Sequence, residues 1–549
     1  MQCHSIQEIH KHVVLIVYGP AASDSFNKVT TMSSSSLPSR ASEDANTASD
    51  SSVSPTSATD RDNVSDLPLI SDLQLNNTSH SEGDSPLQAG SSTSKLDKRG
   101  TTIDDLPDEL VVEIFSYMSF SENIEVLQKV CTRWKILAQD AHLWLNKKYV
   151  VRWETSEEEA IATFDAVPQL RTVIMEKDVS HRVFEALSRS CPHLTTLQTS
   201  PWQMLTYTEA DNLFTSCRDI STLAVTERGL REDVRFLEAM ARLTDLRVLH
   251  LYGFVNTEMA IPLHILADVC PHLCDLNLDS ICYQIRDAEY FVSSHRCVLE
   301  RLRMRWTSVE GRSIAPLLPT CAETLQQLEL ICYENVSLEE AAEAFTALGQ
   351  LHNLRQLLIV VTDWNVRHLV PAVFENGGFP KLQQLQLACI VVDETMRGVV
   401  EHCPELRELE LHGCEGHTDA LFETLRRLKK LETLKINSCT CLGGKSMSHI
   451  AKLTTLHTLE FTYTKFGKLK PSVDCILEMS GLRRLYLHEC ICWAIPFDKF
   501  PGRLVNLREL EIGYCDGDQD VLDRITAQMP DLRVDGSLGA LFTDQEDDD

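Results

Sequence analysis

From Leu170 onward, short runs of alternating apolar and polar residues are separated by longer segments with helical spacing, and the arrangement recurs along the chain. The unit is L-x-x-L-x-L, as in "LRVLHL" at Leu246, "LQQLEL" at Leu325, "LRELEL" at Leu406 and "LRELEI" at Leu507. Eleven clear copies run from Leu246 to Leu507, weaker ones begin at Leu170, Leu194 and Ile220, and a terminal half-copy begins at Leu532. Neighbouring copies are 24 to 29 residues apart. The alternation predicts a short strand with its leucines on one face. The stretch that follows, for example "TDALFETLRRLKK" after Leu411, predicts a helix packed behind it. No single unit can bury its own leucines, so the units must stack into a curved solenoid.

This period is that of leucine-rich repeats, shorter than ankyrin, tetratricopeptide or propeller periods. About fourteen units account for residues 149–535, giving an α/β solenoid of horseshoe form. Ahead of it, residues Ile103 to Trp144 read "IDDLPDELVVEIFSYMSFSENIEVLQKVCTRWKILAQDAHLW". Leu106, Leu110 and Ile114 fall at helical spacing with Phe115 beside them, and Pro107 and Asp108 can start that helix. Ser121 is placed to cap a second helix carrying Ile124, Leu127 and Val130, and Trp134, Leu137 and Ala138 continue on a third. Three short helices this apolar either expose a patch to a protein partner or cap the first repeat.

From about Ala21 to Gly100 the chain turns to Ser, Thr, Asp, Asn and Pro, too poor in apolar side chains to offset ordering entropy, and residues 1–100 are expected to form a disordered leader. Within it, Met32 opens "MSSSSLPSR" and is an alternative start. Val13 to Tyr18 is too short an apolar run for a membrane span or a signal-peptide core. The formal net charge of −29 argues against a general nucleic-acid or anionic-membrane binder. Nineteen cysteines without a secretory signal suggest reduced, buried thiols in a soluble protein.

Cys414, Cys439, Cys490 and Cys515 each lie three residues past the last strand leucine, where a small polar side chain serves the turn. The pairs Cys439/Cys441 and Cys490/Cys492 lack a second pair at ligand spacing, so no metal or other cofactor is expected. "CLGGKSMS" ends like a phosphate-binding loop, but Cys439 stands where that loop needs glycine. No hydrolase, zinc-protease or kinase signature occurs, and no catalytic residue is assigned.

"LPDELVVEIFSYM" followed by "VCTRWKILAQDAHLW" resembles an F-box, in its LP-x-EL opening, its I-F pair, its V-C-x-R-W core and its closing L-W. With the cysteine-containing repeats behind it, residues from Thr101 onward resemble the F-box/leucine-rich-repeat proteins, with an F-box at 101–148 and an acidic tail at 536–549. The resemblance implies a non-catalytic substrate receptor of an SCF-type ubiquitin ligase, acting in the cytoplasm, the nucleus or both. Its F-box would dock on a Skp-type adaptor that hangs on a cullin with a RING subunit. By position in the motif, Leu106, Pro107, Leu110, Ile114, Phe115, Val130, Cys131, Trp134 and Leu137 would divide between adaptor contact and F-box core.

A target protein would then bind the concave strand face, which is read from the residues alternating with the leucines. These are Asp275, Asn277 and Asp279; then Arg301, Arg303 and Arg305, followed by Trp306. Further on come Glu408, Glu410 and His412, then Arg484, Tyr486 and His488, then Glu509 and Glu511. The three arginines either bind an acidic or phosphorylated segment or pair with the neighbouring aspartates. The tail "FTDQEDDD" either stays unbound and solvated or folds back on the repeats, where it reaches Arg484 or Lys435 more readily than Arg305. Two other readings remain: a scaffold whose F-box-like helices merely cap the solenoid, and a nucleotide or nucleic-acid enzyme resting on "GGKS" and the arginine strand.

Overall fold

The computed structural model describes residues 103 and 106–539, except 227, 230–232, 234, 254–262, 279–289, 292–298, 307–313, 333–335, 376, 390, 414–418, 440–441, 443–444 and 470–471. The leader, the tail from 540, Asp279, Cys414, Cys441, Gly443 and Gly444 therefore lie outside the described residues. From Pro107 on, these residues belong to one compact unit.

Among the described residues sixteen parallel strands form one sheet in strict chain order, from Lys148–Val151 to Arg533–Gly539. Each of the fourteen full copies read from sequence carries a strand, and so does the half-copy at Leu532. The remaining strand, Lys148–Val151, has no leucine signature; it pairs with Thr172–Met175 and opens the sheet. The last strand runs to Gly539, past the boundary drawn at 535.

Register keeps like against like. Leu385, Leu409, Leu434, Leu459, Leu485 and Leu510 stand opposite one another on successive strands, all buried. Each contributes about 1.5–3 kcal/mol by leaving water, which is why the period is held so strictly. Behind the strands lie the helices. Ser156 caps Glu157–Ala166 through the Glu159 N–H, and Thr206/Glu209 and Ser337/Glu340 form reciprocal capping boxes on Tyr207–Ser216 and Leu338–Leu348. In two late repeats these helices give way to 3-10 turns, Phe466–Leu469 with Ser472–Glu478 and then Phe497–Lys499, before the ten-residue helix Gln519–Gln528.

Leaving the strands, the chain turns the same way each time. Gly413, Ser438, Tyr463, Glu489 and Tyr514 sit two residues past the last buried apolar residue of the strand (Leu411, Ile436, Phe461, Leu487 and Ile512) with φ between 49° and 61°. Four of the five N–H groups reach the next repeat: Gly413 to Asn437 O, Ser438 to Thr462 O, Tyr463 to His488 O and Glu489 to Gly513 O, at 2.7–3.0 Å. The left-handed conformation disfavours side chains by roughly 1–2 kcal/mol, so these bonds, and bonds to cysteine sulfurs nearby, must hold it. The thiols do so: the Thr464 N–H donates to Cys490 Sγ at 3.4 Å, and the Cys490 N–H donates to Cys515 Sγ at 3.3 Å. Burial pushes Cys191, Cys217, Cys332, Cys389 and Cys403 up to about 12, leaving them as inert thiols.

Candidate functional site

The N-terminal helices begin with Asp108–Ser116, whose apolar residues fall on two adjacent stripes. Val111 and Phe115 point inward and are buried, while Leu110 and Ile114 remain 52% and 40% exposed. The second helix is a π-turn, Glu122–Leu127, running into Gln128–Val130. Its cap is Ser119 rather than Ser121, which makes no cap bond. The Ser119 N–H and hydroxyl both donate to Glu122 Oε2 at 2.7 Å, and the Glu122 N–H returns to Ser119 Oγ at 3.3 Å. This reciprocal box satisfies two orphan donors, which a lone Ser121 hydroxyl would not.

Cys131 caps the third helix, Thr132–Leu137, its sulfur accepting the Trp134 N–H at 3.4 Å. Arg133 ties that helix to Asp108 at 2.7 Å, and Phe115 meets Trp134 edge-on at 5.0 Å. Leu106 closes a turn with Ile103, and Pro107 stands exposed at the first helix start. Leu137 is buried. Of the residues drawn from the motif, then, Phe115 and Leu137 form core, Trp134 packs half-buried, and Leu110, Ile114 and Val130 face solvent. Tyr117, Val126 and Ile136 add to the exposed apolar set, at 72%, 52% and 64%. Their signal in the sequence is weak, because an outward apolar stripe has the same spacing as an inward one.

Phe120 fixes this helical unit to the sheet. Its ring meets Trp144 at 5.3 Å and stacks on Tyr149 of the first strand at 5.2 Å, and Tyr149 in turn meets Phe164 at 5.8 Å. The Trp144 Nε1–H donates to Ala138 O at 3.0 Å. Lys147 Nζ donates to Ser116 O and Met118 O, closing the end of the first helix.

On the concave face the arginine strand is engaged by its neighbours. Arg301 bonds Asp275 at 2.7 Å, and Arg303 bonds Glu329 at 2.8 Å. His250, absent from the sequence reading, lies 3.4 Å from Asp275. Burial works to raise the Asp275 pKa, but hydrogen bonds from His250 and Arg301 outweigh it and hold the carboxyl below its ordinary value. Asn277 stands opposite Arg303 in register. Arg305 is buried, and Trp306 does not face the groove: its place in the alternation is that of the leucines, and its ring packs edge-on against Phe345 at 6.0 Å. Of the two alternatives for the arginine strand, pairing with neighbouring carboxylates is what Arg301 and Arg303 make, and the ring that follows them is buried.

A second network spans the strands from Gln384–Ala388 to Thr433–Asn437. The Glu410 carboxylate accepts from Gln386 Nε2 at 3.0 Å and Asn437 Nδ2 at 3.1 Å, with His412 Nε2 at 2.6 Å. Lys435 reaches Glu408 at 2.8 Å and Glu410 at 3.7 Å. Burial works against the Glu410 charge, yet His412 and Lys435 outweigh it and keep the pKa below the ordinary value. Glu460, one strand on, differs: burial raises its pKa, Lys435 only partly offsets this, and Glu410 adds to it. Beyond it, the Tyr486 hydroxyl donates to Glu509 at 3.1 Å, His488 lies 3.8 Å from Glu511, and Arg484 Nε donates to Thr458 Oγ1 at 3.0 Å.

Among the described residues no group of three or more His, Cys, Asp or Glu could hold a metal ion, and no helix is long and apolar enough to cross a membrane. Ser446, of the phosphate-loop-like stretch, is buried at the start of the five-residue helix Ser446–Ile450.

A parallel sheet in chain order, backed by helices and prefaced by an apolar helical unit, defines a leucine-rich-repeat solenoid with an N-terminal helical module. An F-box-like family model matches residues 103–147, so the chain carries an F-box-like domain ahead of its leucine-rich repeats. Solved structures similar to it include a leucine-rich-repeat protein of Leptospira interrogans, at 14% identity and TM-score 0.33, covering 71% of this chain and 100% of that one. An internalin of Listeria monocytogenes has 14% identity and TM-score 0.25, covering 81% and 100%. A chain of the yeast Rad7–Elc1 complex has 15% identity and TM-score 0.35, covering 71% and 91%. No curated relative matches the sequence. The solenoid assignment rests on the sheet itself.

Proposed function

We propose that this chain is the non-catalytic substrate receptor of an SCF-type ubiquitin ligase. Residues 101–148 would grip a Skp-type adaptor carried by a cullin with its RING subunit, and residues 149–535 would hold the target protein. The observation that carries this reading is the exposed apolar set of Leu110, Ile114, Val126, Val130 and Ile136 on a small helical unit whose core is already filled by Val111, Phe115, Leu127 and Leu137. Apolar groups left outside a completed core mark a surface for a partner. A receptor of this kind forms no bonds to substrate; it raises the effective concentration of a target beside the ubiquitin thioester. The compartment would be the cytoplasm or the nucleus.

A second reading is favoured by a different observation. Phe120, Trp144 and Tyr149 seat the helices firmly on the first strand, as a solenoid cap would require. Gel filtration of the purified chain with purified adaptor–cullin–RING complex separates the two. Co-elution, followed by ubiquitin transfer to proteins held by the repeats, supports the receptor. A chain that elutes alone under gentle conditions is a capped scaffold, and the ligase reading falls.

A further inference from the structure

The C-terminal repeats hold a cavity of about 630 Å3 at the edge where the chain enters the strands. Its wall is a ladder of residues that each immediately precede a strand, or begin one in the last repeat. The His457 N–H donates to Glu432 O, Arg483 to His457 O, Arg508 to Arg483 O and Arg533 to Arg508 O, every step at 2.8 Å. Three successive repeats thus present an arginine at the same place, separated only by the ~4.8 Å between strands. Arg484 joins them in the lining.

These arginines differ from those of the strand Arg301–Trp306. Arg301 and Arg303 are tied to carboxylates at 2.7 and 2.8 Å. Here Arg484 bonds a threonine hydroxyl, Arg508 bonds the carbonyls of Val505 and Leu507, and Arg533 has a carboxylate only at 3.8 Å. Of the two acids in the lining, Glu432 pairs with Arg407, while Glu509 accepts from the neutral Tyr486 hydroxyl and keeps its charge, so the arginines still outnumber the acids. On a chain of net charge −29, this is a concentrated positive site with room for a whole oxyanion and its neighbours.

Two residues further along the same strands the register is mostly acidic. Thr458 leads to Glu460 and Glu509 to Glu511, with Tyr486 in register between these glutamates and Asp535 opposite Glu511. Two residues of strand are ~7 Å. That is also the distance between residues i and i+2 of an extended peptide, whose side chains share one face.

Resting on the reading of the repeats as the target-binding surface, we infer that the C-terminal repeats recognise an extended peptide bearing an oxyanion, phosphoryl or carboxylate, in the arginine cavity and a lysine or arginine two positions away on Glu460 and Glu511. The raised pKa of Glu460 fits a half-buried carboxylate that lacks a sufficient cation of its own.

The test uses the full chain and three fluorescent peptide pools, with randomised flanks around a fixed phosphoserine, glutamate or serine. The phosphoserine or glutamate pool is expected to bind at least about tenfold tighter than the serine pool, and the two identify the oxyanion. Bound peptides are expected to be enriched in Lys or Arg two positions from it. Arg483→Glu with Arg508→Glu, both exposed positions, abolishes the preference, and Arg483→Lys with Arg508→Lys weakens it less. Glu460→Gln with Glu511→Gln removes the cation enrichment while the anion still binds. Equal binding of all pools, or indifference to these variants, overturns the inference. Adaptor binding is measured on the same preparations. A chain that holds adaptor but ignores the pools sinks this inference alone, whereas one that selects peptides without adaptor sinks the ligase reading alone.

Discussion

Replacing Leu110 and Ile114 together by glutamine keeps the helix Asp108–Ser116 but makes its outer stripe polar. Both residues keep about half their surface in water, 52% and 40%, so the fold makes limited use of them. Burying the remainder in a complex would yield about 1.5–3 kcal/mol for the pair, scaled from ~1.5–3 kcal/mol for one whole side chain. Two amides forced into an apolar interface add about 1–3 kcal/mol each in cost. The sum predicts at least ~100-fold weaker adaptor binding. Folding should change by only about 1 kcal/mol, as is usual away from the core. Phe115→Ala, one residue along and 1% exposed, does the reverse. It empties the space against Trp134 and costs about 3–5 kcal/mol of stability. Calorimetric titration with purified adaptor, beside hydrogen exchange of residues 108–144, reads both quantities. If the glutamine pair loses exchange protection as Phe115→Ala does, the outer stripe is core and the argument fails. It fails equally if adaptor affinity stays within about threefold of native.

Asp275→Asn should cost about 1.5–3 kcal/mol at neutral pH, through loss of the charge-assisted bonds to Arg301 and His250. Because the Asp275 pKa is depressed in the fold, that stabilisation is present above the ordinary carboxyl pKa of 3.8 and disappears as pH falls through the folded value. Native and variant melting curves should therefore converge as the solution is acidified below the ordinary 3.8, and a constant gap would contradict the assignment. Glu460→Gln carries the opposite sign. Its raised pKa means the native chain loses stability as pH climbs above the ordinary 4.5, so the variant should melt higher at neutral pH and match the native chain in acid. A variant that melts lower at neutral pH would show that Glu460 is well paired. Gly536→Ala would set a Cβ 1.8 Å from Ile512 O at φ +90°, detaching Arg533–Gly539 at a cost of about 1–3 kcal/mol or more. Limited proteolysis should then cut within that strand first, and unchanged resistance there would refute the clash.

Much of the architecture was legible because the leucine code is redundant. Leu385, Leu409 and Leu434 read the same way because each must fill the same slot between neighbours. Other features were ambiguous for physical reasons. Lys148–Val151 lacks the code because the aromatic rings of Phe120 and Phe164, not a preceding repeat, cover Tyr149. Ser119 and Ser121 compete as caps in "SFSE", and only the position of Glu122 three residues after Ser119 decides between them. Trp306 sat beside three arginines in the text, yet its parity belongs to Leu302 and Met304.

By itself, the sequence determined the repeat, the strand parity and the helical module in front, since each follows from local spacing of apolar residues. Tertiary structure alone decided which stripe of Asp108–Ser116 faces water and which arginines are neutralised. Both depend on what stands opposite. Arg301 meets Asp275 from a strand 26 residues away, while the Arg508 guanidinium bonds the carbonyls of Val505 and Leu507 and Arg533 has a carboxylate only at 3.8 Å, and no one-dimensional pattern distinguishes the two cases.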